Sequence, residues 1–212
     1  MTPVHRPFRT IPAMVFLVLA LAAVALGAAR GSRDEWQQPE RVVADLNLPQ
    51  GAAVADVGCG SGYFVFRLAK AIGPKGKVFA EEISEKALRG LKDRVARDKV
   101  ANVEVVIGEA ESTHLPEAAL DAAIVVNVLH HVPAEHRTGL IKDVARALKP
   151  GGVLYVIDWR VDATIKHDIG RRIPRPDLLR YPAEAGLALD AEFLYLPHQL
   201  FLRFRKPAAA AK

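Results

Sequence analysis

Cysteine is almost absent from the chain: Cys59 stands alone among 212 residues. One thiol closes no intramolecular disulfide and builds no cysteine-cluster metal site. No metal-ligand spacing is read elsewhere, so no metal site is expected. No internal repeat is visible. Acidic residues are missing from the first 33 positions, which carry Arg6, Arg9, Arg30 and Arg33. That local gap explains most of the formal net charge of +5, because 25 of the 29 Lys and Arg lie beyond it and face all 24 acids. The body is close to neutral, and a phosphate-tracking surface is not expected; nucleic acid is excluded as a partner.

What is present is a large apolar complement. Half of the residues are hydrophobic (50%), enough for one domain with a sizeable core. An uncharged run from Ala13 to Ala29 follows the first two arginines. It reads as a signal peptide or a membrane anchor, and with arginines on both flanks the positive-inside rule assigns it no orientation. Residues 1–33 are therefore set apart as leader plus linker, 34–206 as the folded domain, and 207–212 as a disordered tail. Association with a membrane through the leader is expected, with the domain facing the cytoplasm and an exported form as the alternative.

From Ala52 onward the pattern alternates. Apolar runs that read as buried strands are Ala52 to Val57, Lys77 to Glu81, Val103 to Ile107, Ala122 to Asn127 and Gly152 to Asp158, with helical patterns between them. A lead-in helix is expected from Asp34 to Leu48, a helix N-capped by Ser84, and another after Pro133. Pro182 is expected to interrupt the helix before Gly186. Phe193 to Leu196 and Leu200 to Arg205 are joined by three residues, which allows only an antiparallel pair. Arg203, Arg205 and Lys206 are placed on an edge strand. The implied fold is α/β, a Rossmann-like doubly wound sheet, mostly parallel, with an antiparallel C-terminal hairpin.

The most informative stretch is Asp56-Val57-Gly58-Cys59-Gly60-Ser61-Gly62-Tyr63, where the first strand turns into a helix. Bare backbone permits a sharp turn and lets a ligand lie against it. The third glycine falls one residue early for the dinucleotide pattern, which weakens an NAD-dependent oxidoreductase. The carboxylate of Asp56 favours a positively charged guest.

This stretch resembles motif I of the class I S-adenosylmethionine-dependent methyltransferases, among them the small-molecule group that methylates ubiquinone and menaquinone precursors. The resemblance continues over Trp36 to Pro207, through Val78 to Ile83, Gly108-Glu109-Ala110, Asn127 to His131 and Leu148 to Gly152. It implies a seven-stranded methyltransferase fold, S-adenosyl-L-methionine as cofactor and a small-molecule acceptor. It further implies a cofactor site from Asp56, Gly58, Cys59, Gly60, Gly62, Glu82, Ile83, Glu109, Ala110 and Asn127. Glu82 takes the ribose hydroxyls, with Glu81 as the fallback.

Methyl transfer needs alignment and, for some acceptors, a base. His131, His130 and Asp158 are the catalytic candidates at the ends of strands four and five, His131 being preferred. Arg171, Arg172, Arg175 and Arg180 are read as a solvated cover segment rather than as ligands. A protein that binds S-adenosylmethionine or S-adenosylhomocysteine without turnover is the second reading. Oligomeric state is not read from the sequence.

Overall fold

The computed structural model describes residues 32–165 and 168–209. The apolar run at 13–29, on which the leader expectation falls, lies outside the described residues. Among the described residues no helix is long and apolar enough to cross a membrane. Residues 37–212 form one compact unit; the other unit, 1–36, contributes to the description only residues 32–36.

The elements, in chain order, are α1 (Arg33–Gln37), α2 (Pro39–Asp45), β1 (Ala53–Val57), α3 (Val65–Ile72), β2 (Lys77–Glu82), α4 (Glu85–Arg97), β3 (Val103–Ile107) and β4 (Leu120–Val126). They continue with α5 (Ala134–Ala147), β5 (Leu148–Trp159), a 3-10 turn (Ile169–Arg171), α6 (Arg175–Glu184), β6 (Ala188–Phe193) and β7 (Gln199–Arg205). The seven strands make one sheet in the order β3-β2-β1-β4-β5-β7-β6. The pairs from β3 to β5 are parallel, whereas β7 pairs antiparallel with both β5 and β6.

Alternation along the strands divides the core into two layers. On β1, Val54 packs with Val42 of α2, Leu68 of α3 and Leu91 of α4, while Ala55 packs with Leu140 and Val144 of α5 and Leu178 of α6. Helices therefore cover both faces, as parallel strands require. Burying each large aliphatic side chain contributes roughly 1.5–3 kcal/mol. The Ser84 hydroxyl accepts the Ala87 amide at 3.4 Å and caps α4.

Three expectations are corrected. The lead-in helix is broken in two because Gln38 takes a left-handed conformation, φ 45°. Pro182 lies inside α6, two residues before its end, and the helix runs on to Glu184; the ring removes the one bond its N–H would have given to the carbonyl a turn earlier and leaves the last residues helical. The strand bearing Arg203 and Arg205 is not an edge, since β6 lies outside it, and both arginines reach Asp190 at 2.9 Å. Residues 207–209 have no regular secondary structure, and the rest of the expected tail lies outside the described residues.

Candidate active site

Strand order reverses between β1 and β4, and a crevice opens there beyond the carboxyl ends of the strands. A cleft of ≈ 320 Å³ occupies it, lined by Gly58 after β1, Glu81, Glu82 and Ile83 at the end of β2, Glu109 and Ala110 after β3, and Asn127, Val128 and His131 after β4. Val57, Val132, Pro133 and Leu140 supply further apolar wall.

Gly58 (φ 68°) and Gly60 (φ 55°) are left-handed, a conformation that side chains resist. The glycine turn is held by the two acids of β2. Glu81 Oε2 accepts the Gly58 amide at 3.1 Å, and Glu82 Oε2 accepts the Gly60 amide at 2.9 Å. Glu82 Oε1 accepts the Ser84 amide at 2.9 Å. Each carboxylate oxygen has two lone pairs, so Glu82 keeps acceptor capacity toward the cleft. Glu81 is buried, and burial pushes its carboxyl up to about 7 against the lowering effect of the Gly58 amide. Gly108 leaves the room Glu81 needs: a Cβ there would overlap Oε1.

Of the expected cofactor residues, Gly58, Glu82, Ile83, Glu109, Ala110 and Asn127 line the cleft together. Asp56, Cys59, Gly60 and Gly62 are not among the lining residues. Asp56 is buried. Cys59 turns its side chain into the core layer of α3 and α4, and burial pushes its thiol far up. Gly62 faces Leu91, and a Cβ there would come within 2.6 Å of that side chain. Its role is close packing of turn against helix. Gly60 does keep open space on its Cβ side.

Asn127 is left-handed (φ 59°) and joins a closed amide ring. Its Nδ2 donates to Gln37 Oε1 at 3.1 Å, Gln37 Nε2 donates to Gln199 Oε1 at 2.7 Å, and Gln199 Nε2 donates back to Asn127 Oδ1. Gln37 and Gln199 are buried polar residues that no sequence pattern singled out.

The histidine pair divides. His131 is exposed and lines the cleft; burial against its neighbours and the adjacent His130 lower its pKa. His130 sits behind, with Nδ1 2.7 Å from Asp158 Oδ1, and its backbone amide donates to Asp158 Oδ2 at 3.3 Å. Neither His130 nor Asp158 lines the cleft; both are buried. Arg171 Nη1 stands 3.2 Å from His131 Nδ1, so one of the four cover arginines reaches the cleft wall. Arg175 pairs with Glu192, Arg180 with Asp177 and Glu184, and Arg172 donates to the Ala163 carbonyl.

Residues 54–152 match the model of a methyltransferase domain family. Over this segment, just under half of its length, the chain is similar to a methyltransferase domain, in keeping with the motifs of its sequence. Among curated proteins, the demethylmenaquinone methyltransferase of Geobacillus stearothermophilus is 30% identical over 124 residues, 58% of this chain and 51% of that protein. The enzyme of the same name from Staphylococcus aureus is 32% identical over 123 residues, 58% of this chain and 48% of its own length. The chain thus spans about half the length of these relatives. A SAM-dependent methyltransferase from Aquifex aeolicus superposes with a TM-score of 0.76 at 24% identity, covering 82% of this chain and 93% of that one. The [4+2]-cyclase SpnF superposes with a TM-score of 0.68 at 21% identity, covering 81% and 82%. These structural likenesses carry the fold and leave the reaction to the site.

The cleft fits the cofactor of this family. Glu82 and Glu109 bring negative charge that suits a sulfonium cation, and Glu81, its carboxyl pushed up to about 7, adds less. Glu82, at the end of β2, can accept from two vicinal hydroxyls. Ile83, 62% exposed beside it, offers an apolar face to a purine.

Proposed function

We propose that the protein transfers a methyl group from S-adenosylmethionine to a small-molecule acceptor. The observation that carries this reading is Glu82, which ties the glycine turn to the end of β2 and presents its remaining lone pairs to an acid-lined cleft. S-adenosylmethionine, when bound, would supply an electrophilic methyl, which would bond to the acceptor atom as the carbon–sulfur bond breaks and S-adenosylhomocysteine leaves. The chain's residues do the rest: Glu82 orients the ribose, Ile83 and Ala110 flank the base, and His131 meets the acceptor. His130 and Asp158 act from behind as positioning residues. Val128, Val132, Pro133 and Leu140 make that end of the cleft apolar, which suits a demethylated quinone or a similar ring.

Titration calorimetry with S-adenosylhomocysteine and with NAD tests the cofactor, and mass measurement of a demethylated quinone after incubation with S-adenosylmethionine tests the transfer. Tight binding of the nucleoside and a gain of one methyl are expected. Preference for NAD would end the reading, and binding without transfer to any quinone or phenol would leave a binding protein in its place.

We infer in addition that the uncharged run at 13–29 holds the domain at a membrane, facing the cytoplasm where the cofactor is made. Fractionation with mass measurement of the amino terminus is expected to find an uncleaved chain in the membrane fraction. A cleaved chain in the exported fraction would overturn this.

A further inference from the structure

The histidine corner holds a group that the preceding reading leaves unused. His130 is 3% exposed, and among the described residues its Nε2 has no hydrogen-bond partner. On the other side of the ring, Nδ1 lies 2.7 Å from the carboxylate of Asp158, which also accepts the Trp159 amide at 2.7 Å. A buried carboxylate bonded in this way acts as the acceptor, so in the neutral ring Nδ1 carries the proton and Nε2 presents its lone pair. In that neutral tautomer Nε2 can take a cation as its partner, and a metal ion shared with Asp168 Oδ2, 3.4 Å away, satisfies both groups.

We propose that His130, His131 and Asp168 bind a divalent first-row transition-metal ion of the zinc type at the acceptor end of the cleft. One ligand atom from each of the three lies within 4.8 Å of the others. His130 Nε2 and Asp168 Oδ2 are 3.4 Å apart. Two ligands each about 2.0–2.1 Å from a tetrahedral ion stand about 3.4 Å from one another, so this pair already has the edge length of such a site. Two imidazoles and one carboxylate form a donor set that favours transition ions over magnesium or calcium. Asp158 is the carboxylate that fixes the tautomer of a ligating histidine.

The charges facing the cluster favour a cation. Among the described residues, the carboxylates of Asp158 and Asp168 face His130, and the Arg171 guanidinium, 3.2 Å from His131 Nδ1, works against them. Arg171 therefore competes with the ion for His131. Three protein ligands leave a coordination position open, and because His131 lines the cleft, that position faces the acceptor. The ion would hold a hydroxyl or carbonyl oxygen of the substrate there. That role rests on the methyl-transfer reading; the binding of the ion does not. No sequence signal marks the site, because Asp168 follows the histidine pair only after β5 and an irregular connection.

The test is titration of tag-free, chelator-dialysed full-length protein with cobalt(II), read by its visible d–d absorption, followed by displacement with zinc(II). Saturation at one equivalent is expected for the wild type. Asp168→Asn and His131→Gln are expected to weaken cobalt binding by at least about tenfold, and Arg171→Ala to tighten it. His131 is exposed and Asp168 half-buried, so these variants are expected to fold, which thermal unfolding of each preparation checks. Each preparation is also titrated with S-adenosylhomocysteine to show an intact cleft. Protein that binds the nucleoside but gives no saturable cobalt spectrum, or variants that bind cobalt like the wild type, would overturn the metal site. Cobalt binding by protein that ignores the nucleoside would uphold the site and remove the methyl-transfer reading instead.

Discussion

Glu81 Oε2 accepts the amide of Gly58 at 3.1 Å from inside the core, and the same burial that makes this bond possible pushes the Glu81 carboxyl up to about 7. The folded pKa lies above the unfolded one, so the native state holds a proton that the unfolded chain has already released. Stability from this group is present below the unfolded value near 4.5 and is lost as pH rises from there to about 7. The loss is about 3 kcal/mol, from a shift of that size at 1.36 kcal/mol per pH unit. Melting temperatures measured from pH 5 to 8 are expected to fall more steeply for the wild type than for Glu81→Gln. Parallel curves would show that Glu81 titrates as an ordinary surface acid.

Glu82 holds the glycine turn and, on the proposed reading, also serves the ligand. Glu82→Ala removes a charged acceptor from the ribose position and frees the Gly60 and Ser84 amides. Calorimetry with S-adenosylhomocysteine is expected to show affinity weaker by about 1 to 3 kcal/mol. Unaltered affinity would move the ribose to another acid, Glu81 being the first to try.

At Gly108 a single methyl group is too much. A Cβ there would overlap Glu81 Oε1, so Gly108→Ala has to expel Glu81 from its bond to Gly58. The variant is expected to lose about 1–3 kcal/mol of stability in urea unfolding, with weaker nucleoside binding. Combined with Glu81→Ala, the same substitution should cost far less, since the obstructing carboxylate is gone.

The amide ring gives a further handle. Asn127→Ala takes one member from three mutually bonded amides and leaves acceptor and donor groups of Gln37 and Gln199 unsatisfied in the core. It also puts alanine at φ 59°, which Asn tolerates better. A loss of about 2–4 kcal/mol in chemical denaturation is expected from the two effects together. Asn127→Asp, which keeps the left-handed preference and one acceptor, should recover part of it.

Much of the molecule was legible in the chain. The apolar run around Val54 to Val57, the glycines after it and the acids closing the next run fall on β1, the turn and β2, because adjacent residues in strands and turns answer to local rules. Less legible was whatever depends on distant partners. That Gly62 packs on Leu91, while Gly58 lies against the cleft, is decided by a helix much farther along the chain. Insertion of β7 between β5 and β6 made Arg203 an interior residue on a strand that reads as an edge. The same blindness hid Gln37 and Gln199, two glutamines with no motif around them, and Asp168, which meets His130 only in three dimensions.

The three-amide ring closes across 162 residues of chain, from Gln37 to Gln199. Asn127, a residue of the cleft wall, is therefore held in part by β7, the seventh of the described strands. The side-chain orientation of Asn127 thus answers to two glutamines far from it in the chain, so the shape of the cleft wall is a property of the assembled sheet and of no local segment.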